Sequence, residues 1–328
     1  MRFAWTFAIA VVLACLVPLV SPNYMMTIIV EALIWGIFAM SLDLLVGYTR
    51  LYSFGHVAAY GLGAYTSALL LLHFNLPLPI AIILAVAISS LIAVPIAWVC
   101  TRTHGVSFAM LTLAFAQLGY AMLYRFKEFT GGSNGLAGIP RPAGPFGLEV
   151  FQGKIGYFYL VVFCLFGSYL LCRLLVNSPF GSVLAGIREN EAKTSALGYN
   201  TRAYKRAVVI ASYGFGSLAG ALYAPFAGFA SPELFFWLIS GKVLIMVIVG
   251  GAGTLIGPII GGIFFIFLEH QLAEFTDLWP LIFGAIFIAF VMLAPQGIWG
   301  LVTSAASERR RSPGDAASES EDVTGASA

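Results

Sequence analysis

Residues 80–100 read IAIILAVAISSLIAVPIAWVC, a stretch long enough to cross a bilayer as one helix and free of any charged side chain. The recurrence of such stretches narrows the folds open to this chain more than anything else in it. A hydrocarbon core about 30 Å thick needs roughly 20 apolar residues in a helix, which satisfies every backbone N–H and C=O within the segment. Runs that reach or approach this length fall at 4–20, 25–46, 54–74, 80–100, 106–124, 156–176, 207–230, 237–253, 257–273 and 279–295. With 60% of its 328 residues hydrophobic, the chain carries more apolar surface than a soluble domain of this size can bury. The sequence predicts an all-α polytopic membrane protein of about ten transmembrane helices.

The span at 54–74 is glycine-rich (FGHVAAYGLGAY) and is expected to be broken or packed very closely. The spans at 237–253 and 257–273 flank GGAGTLIGP and read as two spans or as a re-entrant pair. Arg2 and the apolar run to Val20 suit a signal peptide, but CLVPLVSPN offers no small-x-small cleavage site, so a retained first span is expected.

The basic residues orient the chain. Threading ten spans from an inside N-terminus places Arg2, Arg50, Arg102, Arg173, Arg188, Lys193, Arg202, Lys205, Arg206 and Arg309 to Arg311 in the cytoplasm, 12 of the 17 basic residues. Arg125, Lys127, Arg141 and Lys154 fall outside, and Lys242 lies near an outer span end. That asymmetry predicts an N-in, C-in topology, because cytoplasmic loops retain Lys and Arg. Residues 1–302 form the transmembrane domain, with an outer loop at 125–155 and a cytoplasmic loop at 177–206. Residues 303–328 are polar and without apolar periodicity, a predicted disordered cytoplasmic tail.

The cytoplasmic loop concentrates charge. Seven of the 22 residues in AGIRENEAKTSALGYNTRAYKR (185–206) are charged, against 10% of the chain. Ser178-Pro179 supplies an N-cap and a proline for a helix start. Phe180, Val183, Leu184 and Ile187 then recur as one apolar stripe. Glu189 to Glu191 suit a second helix start, Gly198 a C-terminal stop, and Asn200 or Thr201 the cap of the next span. Two short capped helices with an apolar stripe predict a docking element for a cytoplasmic partner, with Lys205 and Arg206 as ordinary anchors of the following span. A plain solvated loop is the simpler alternative.

NSPFGSVLAGIRENEAKTSALGYNTRAYK resembles the coupling loop of branched-chain amino acid permease subunits of ABC importers. SLDLLVGYTRLYSFGHVAAYGLGAYTSALL, TGGSNGLAGIP, ALYAPFAGFASPELF and MVIVGGAGTLIGPIIGG continue the likeness in order, over roughly residues 25–300. The E-A-A-x-x-x-G pattern of many importer loops is matched only in part, by Glu191-Ala192-Lys193 with Gly198 one residue late. The resemblance implies the vitamin-type (type II) importer permease fold and the membrane half of an importer in a bacterial inner membrane. It implies a homologous second permease, two cytoplasmic ATP-binding subunits and a periplasmic or surface solute-binding protein as partners. The carried solute would be a branched-chain amino acid, an amide, urea or an aromatic acid. Coupling to the ATPase would fall to Ser178, Phe180, Leu184, Ile187, Arg188, Glu189, Glu191 and Gly198.

The chain contains no G-x-x-x-x-G-K-[ST], so ATP and Mg are expected to be bound by the partner and no cofactor by this chain. Cys15, Cys100, Cys164 and Cys172 form no C-x-x-C pair, and the four histidines show no ligand spacing, so neither a metal site, a catalytic residue nor nucleic-acid binding is indicated. Glu31, Asp43, Gln117 and Lys242 are the polar candidates for a translocation path, since ionisable groups in a membrane face protein or water. Asp43 is also expected to be solvated or paired with Arg50, and Glu31 to sit at the interface. Lys242 could draw in a solute carboxylate, pair with Glu233 or Glu31, or snorkel to the headgroups. Gln117 could equally close an interhelical hydrogen bond. Gly132, Ser133, Asn134 and Gly135 have the turn chemistry of a tight outer loop, a contact for the binding protein. A carrier driven by an ion gradient is the alternative function; it would need titratable groups at mid-membrane, and the sequence offers only Glu31, Asp43 and Lys242, all near span ends.

Overall fold

The computed structural model describes residues 22–141, 153–276, 278–293 and 297–301, together with Pro18 and Phe151. The predicted first span at 4–20, loop residues 142–150 and the tail with Arg309 to Arg311 lie outside the described residues. The long helices are α1 (Asn23–Thr49), α2 (Val57–Phe74), α3 (Leu78–Cys100) and α4 (Val106–Arg125), then α6 (Lys154–Val176), α7 (Pro179–Ala196) and α8 (Thr201–Ala227), and finally α9 (Trp237–Gly250), α10 (Ile256–Phe275) and α11 (Trp279–Leu293). A single turn, α5 (Lys127–Thr130), two-residue strands β1 (Leu136–Ala137) and β2 (Phe229–Ala230), and 3-10 turns at Gly132–Asn134 and Pro232–Phe235 lie between them. Seven described helices are long and apolar enough to cross a membrane: α1–α4, α6, α8 and α10. The chain is therefore a polytopic helical membrane protein.

α1 is the axis of the bundle. Its residues are apolar on all sides, which fits a helix surrounded by others; α6, α7, α8, α9 and α10 all pack against it. α3, α4 and α6 instead turn Ile83, Leu91, Met110 and Phe163 outward, as lipid-facing helices do. α2 and α8 pack most closely. A Cβ on Gly63 would strike the Ser217 carbonyl and one on Gly220 the Tyr60 carbonyl, so only glycine lets the two backbones meet there.

The glycine-rich third span is closely packed rather than broken, one continuous helix from Val57 to Phe74. Residues 51–56 are non-helical and carry the chain into the bundle, so that α2 begins at Val57, whose N–H donates to Ser240 Oγ of α9 at 3.0 Å. His56, just before it, is fully buried; its Nε2 lies 2.7 Å from Ser41 Oγ and its ring stacks on Phe38. α9 begins with Trp237 and Leu238 exposed, after a 3-10 turn at Pro232–Phe235 that buries Phe235 against Gly61 and Gly119. At 14 residues α9 rises about 21 Å, short of a full crossing, and returns as an antiparallel hairpin with α10.

Candidate functional site

α7 stands at one end of the bundle as an elbow. Pro179 opens the first arm after Ser178. The Ser178 hydroxyl does not cap that arm; it donates to Leu175 O at 2.6 Å and closes the end of α6 instead. Asn190 breaks the helix with φ −159° and ψ 102°, and its side-chain oxygen accepts from Lys193 N at 3.0 Å to cap the second arm. Gly198, at φ 92°, ends that arm, and Asn200 caps α8 by accepting from Ala203 N.

The apolar stripe is not a free docking surface. Val183, Leu184 and Ile187 are buried against the bundle, and Phe180 stacks on Tyr204 with centroids 5.3 Å apart. The face left bare carries Ser182, Ala185, Glu189, Lys193 and Leu197. A groove of about 520 Å³ runs between the arms, past Pro179, Ser182, Gly186, Thr194 and Leu197.

Glu191 fixes the second arm. Its carboxylate lies 2.7 Å from Lys205 Nζ and 3.3 Å from His104 Nδ1 in the α3–α4 turn. Lys205 is 1% exposed, so it is a buried pin rather than the exposed anchor expected from the sequence. Partial burial works to raise the Glu191 carboxyl, but the Lys205 hydrogen bond and charge, with His104 and Thr201 behind them, hold it below its ordinary value.

Arg188 points the other way, into the bundle. The Asp43 carboxylate of α1 accepts from Gly253 N at 2.7 Å and from Leu255 N at 3.1 Å, clamping the turn that joins α9 to α10. Gly253 (φ 83°) and Leu255 (φ 60°) are both left-handed there. A Cβ on Gly253 would lie 3.1 Å from Arg188 Nη1, which places the guanidinium against this turn. Asp43 is fully buried, whereas Arg50 is exposed as the left-handed C-cap of α1, so the expected Asp43–Arg50 pair does not form. Backbone amides of a glycine-rich turn replace the arginine as its partners.

The remaining path candidates divide between the other end of α1 and α4. Glu31 pairs with His270 of α10 at 3.2 Å. Lys242 pairs with Glu269 at 2.5 Å, not with Glu233 or Glu31, and its ammonium sits over the Trp35 ring at 4.6 Å and the Phe265 ring at 5.1 Å. Those contacts hold it in the bundle, so it does not snorkel. Gln117 is half-buried, and its Nε2 has no partner among the described residues.

At that same end the outer loop folds tightly. Gly132–Asn134 form a 3-10 turn with Ser133 and Asn134 exposed at its tip. The Thr130 hydroxyl donates to Phe126 O, and β1 pairs antiparallel with β2, Leu136 opposite Ala230. Gly135, at φ 65°, lies so close to the Ala230 carbonyl that a side chain has no room. Arg141 donates to the Pro225 and Phe226 carbonyls and ties the loop to the end of α8.

The model of the family described as branched-chain amino acid transport system, permease component, matches residues 24–291. This chain belongs to that family. It is 30% identical over 292 residues to the high-affinity branched-chain amino acid transport system permease protein LivM of Escherichia coli (strain K12), covering 81% of this chain and 68% of the relative. The Salmonella typhimurium LivM is 28% identical over the same shares of the two chains. A probable LivM of Methanocaldococcus jannaschii is 24% identical over 160 residues, 43% of this chain and 45% of the relative. No solved structure matches the chain. As a branched-chain amino acid permease component with this set of apolar helices, it is a multi-pass protein of the inner membrane.

The α7 elbow, the Asp43 clamp and the two side-chain pairs at the far end all lie within the stretch shared with this permease family. Three of the residues that build them escaped the sequence reading. Glu269 and His270 stand inside a predicted span, and ionisable residues there are a signal in themselves. Lys205 gave none, because a lysine at a span's start reads as an anchor. No group of three or more metal-ligating side chains occurs among the described residues.

Proposed function

We propose that the chain is a membrane-spanning permease subunit of an ABC importer, moving branched-chain amino acids or related small polar solutes into the cytoplasm. ATP is hydrolysed by two partner subunits, which bind the nucleotide and Mg; a second, homologous permease completes the pore, and a solute-binding protein delivers the cargo. This chain makes and breaks no covalent bond. Its work is conformational.

The observation that carries the reading is the α7 elbow: one face welded to the bundle through Leu184 and Ile187, the other bare and grooved. An element built so receives a push on its free face and passes it on through its buried one. Glu191 passes it to α8 and the α3–α4 turn, and Arg188 passes it to the Asp43-clamped turn between α9 and α10. An ion-gradient carrier would need a carboxylate free to load and release its ion. Asp43 is committed to two amides, and Glu31 and Glu269 each face a basic partner that a lone cation would displace and leave unpaired.

The test is co-purification. The chain should bring down an ATPase whose activity rises when solute-loaded binding protein is added. Arg188→Glu and Glu191→Lys should each abolish uptake with the protein still inserted. Normal transport by both variants would remove the coupling role from α7.

A further inference from the structure

Glu31 lies eight residues from the start of α1 and Glu269 six from the end of α10, about 12 and 9 Å along the axes. Together with Lys242 and His270 they place four ionisable groups within the depth of the bilayer, joined as the Lys242–Glu269 ion pair and a Glu31–His270 hydrogen bond. These pairs are not sealed in protein, since between 22% and 36% of each side chain is open. Charges at that depth do not face hydrocarbon, so the surface they share faces water or another protein.

Two further groups sit beside them without partners. The Lys242 ammonium lies over Trp35, whose ring stacks on Tyr60 with centroids 5.7 Å apart. The Trp35 Nε1 and Tyr60 hydroxyl are buried donors with no acceptor among the described residues. Native proteins seldom leave such donors unmet, and each unmet one costs about 1–3 kcal/mol. Lys242 and Glu269 thus present a cation and a carboxylate side by side on that partly open surface.

We propose that these residues form a way-station for a zwitterionic solute, resting on the importer reading above. Lys242 exchanges Glu269 for the solute carboxylate, while Glu269 takes the solute ammonium. The exchange keeps every charge paired at each stage. It lets a doubly charged molecule enter the bundle without the desolvation penalty of lone ions.

The test uses the assembled transporter in vesicles with radiolabelled leucine, comparing Lys242→Met/Glu269→Gln with the charge swap Lys242→Glu/Glu269→Lys. Both should assemble and keep ATP hydrolysis stimulated by the binding protein. Uptake should fall about tenfold to a hundredfold in each, the loss expected for one charge-assisted hydrogen bond. The swap restores an ion pair but sets a carboxylate over the Trp35 face, so it should not rescue uptake. Wild-type uptake by either variant would overturn the proposal, as would failure of both to assemble, since the pair would then only hold α9 to α10. Absence of ATP-dependent leucine uptake by the unmodified transporter would instead count against the importer reading.

Discussion

Among the described residues two charged side chains other than histidine are shut away from solvent, Asp43 and Lys205, and each belongs to a joint rather than to the core. Lys205 is the clearer case. Removing Glu191 strands a buried ammonium, whereas removing Lys205 leaves a carboxylate that is 31% exposed and able to rehydrate. Glu191→Gln should therefore cost about 3 kcal/mol, the low end for breaking a buried pair, and Lys205→Met should cost less. Thermal unfolding in detergent measures the order. The pH dependence follows from the depressed Glu191 carboxyl. A lowered folded value stabilises above the unfolded value of 4.5 and is lost as pH falls through the folded one. The difference between wild type and Glu191→Gln should thus be full at pH 7 and shrink in acid. Asp43→Asn tests the other joint. Its amide can accept from one of Gly253 N and Leu255 N but turns a donor on the other, which should cost about 1–3 kcal/mol and loosen the α9–α10 turn. Equal melting of Asp43→Asn and wild type would show that the clamp contributes nothing.

At the scale of elements, most of what was legible in the sequence is local. Helix positions follow from apolar run length, and α3 and α4 begin and end within two residues of expectation. The break within α7 and the cap of α8 follow from residues beside the break itself. α8 starts six residues earlier than the apolar run, at the Asn200 cap, and its first turns carry Lys205 paired with Glu191. What could not be read were partners distant in the chain. Gly253 is 210 residues from Asp43 and His270 is 239 from Glu31, separations that no periodicity encodes. The buried side of α7 was missed for the same reason, since a stripe of Val183, Leu184 and Ile187 looks alike whether it faces its own bundle or a partner. The outer loop is the converse, for its turn is fixed by its own glycines and only its purpose is open. If Ser133 and Asn134 at its tip meet the binding protein, an alanine block there should reduce docking and uptake while leaving the Arg141 tie and the fold intact. Unchanged docking would reduce the loop to a structural cap.

Across the whole molecule, function depends on which end lies in the cytoplasm. The coupling reading needs α7 inside, and the way-station needs the Glu31–His270 end outside. The basic residues favour that arrangement, because Arg173, Arg188, Lys193, Arg202, Lys205 and Arg206 gather at the α7 end and the opposite end carries fewer. Single cysteines at Ser133 and Ser195, both exposed and at opposite ends, make the test direct. Cys100 and Cys172 are buried and Cys164 is half-buried in α6, so among the described residues the native thiols give little background. A membrane-impermeant thiol reagent applied to intact cells should label Ser133→Cys at once and Ser195→Cys only after permeabilisation. The reverse pattern would place α7 outside, beyond reach of a cytoplasmic ATPase. Both the coupling path through Arg188 and the solute entry at Lys242 would fall together.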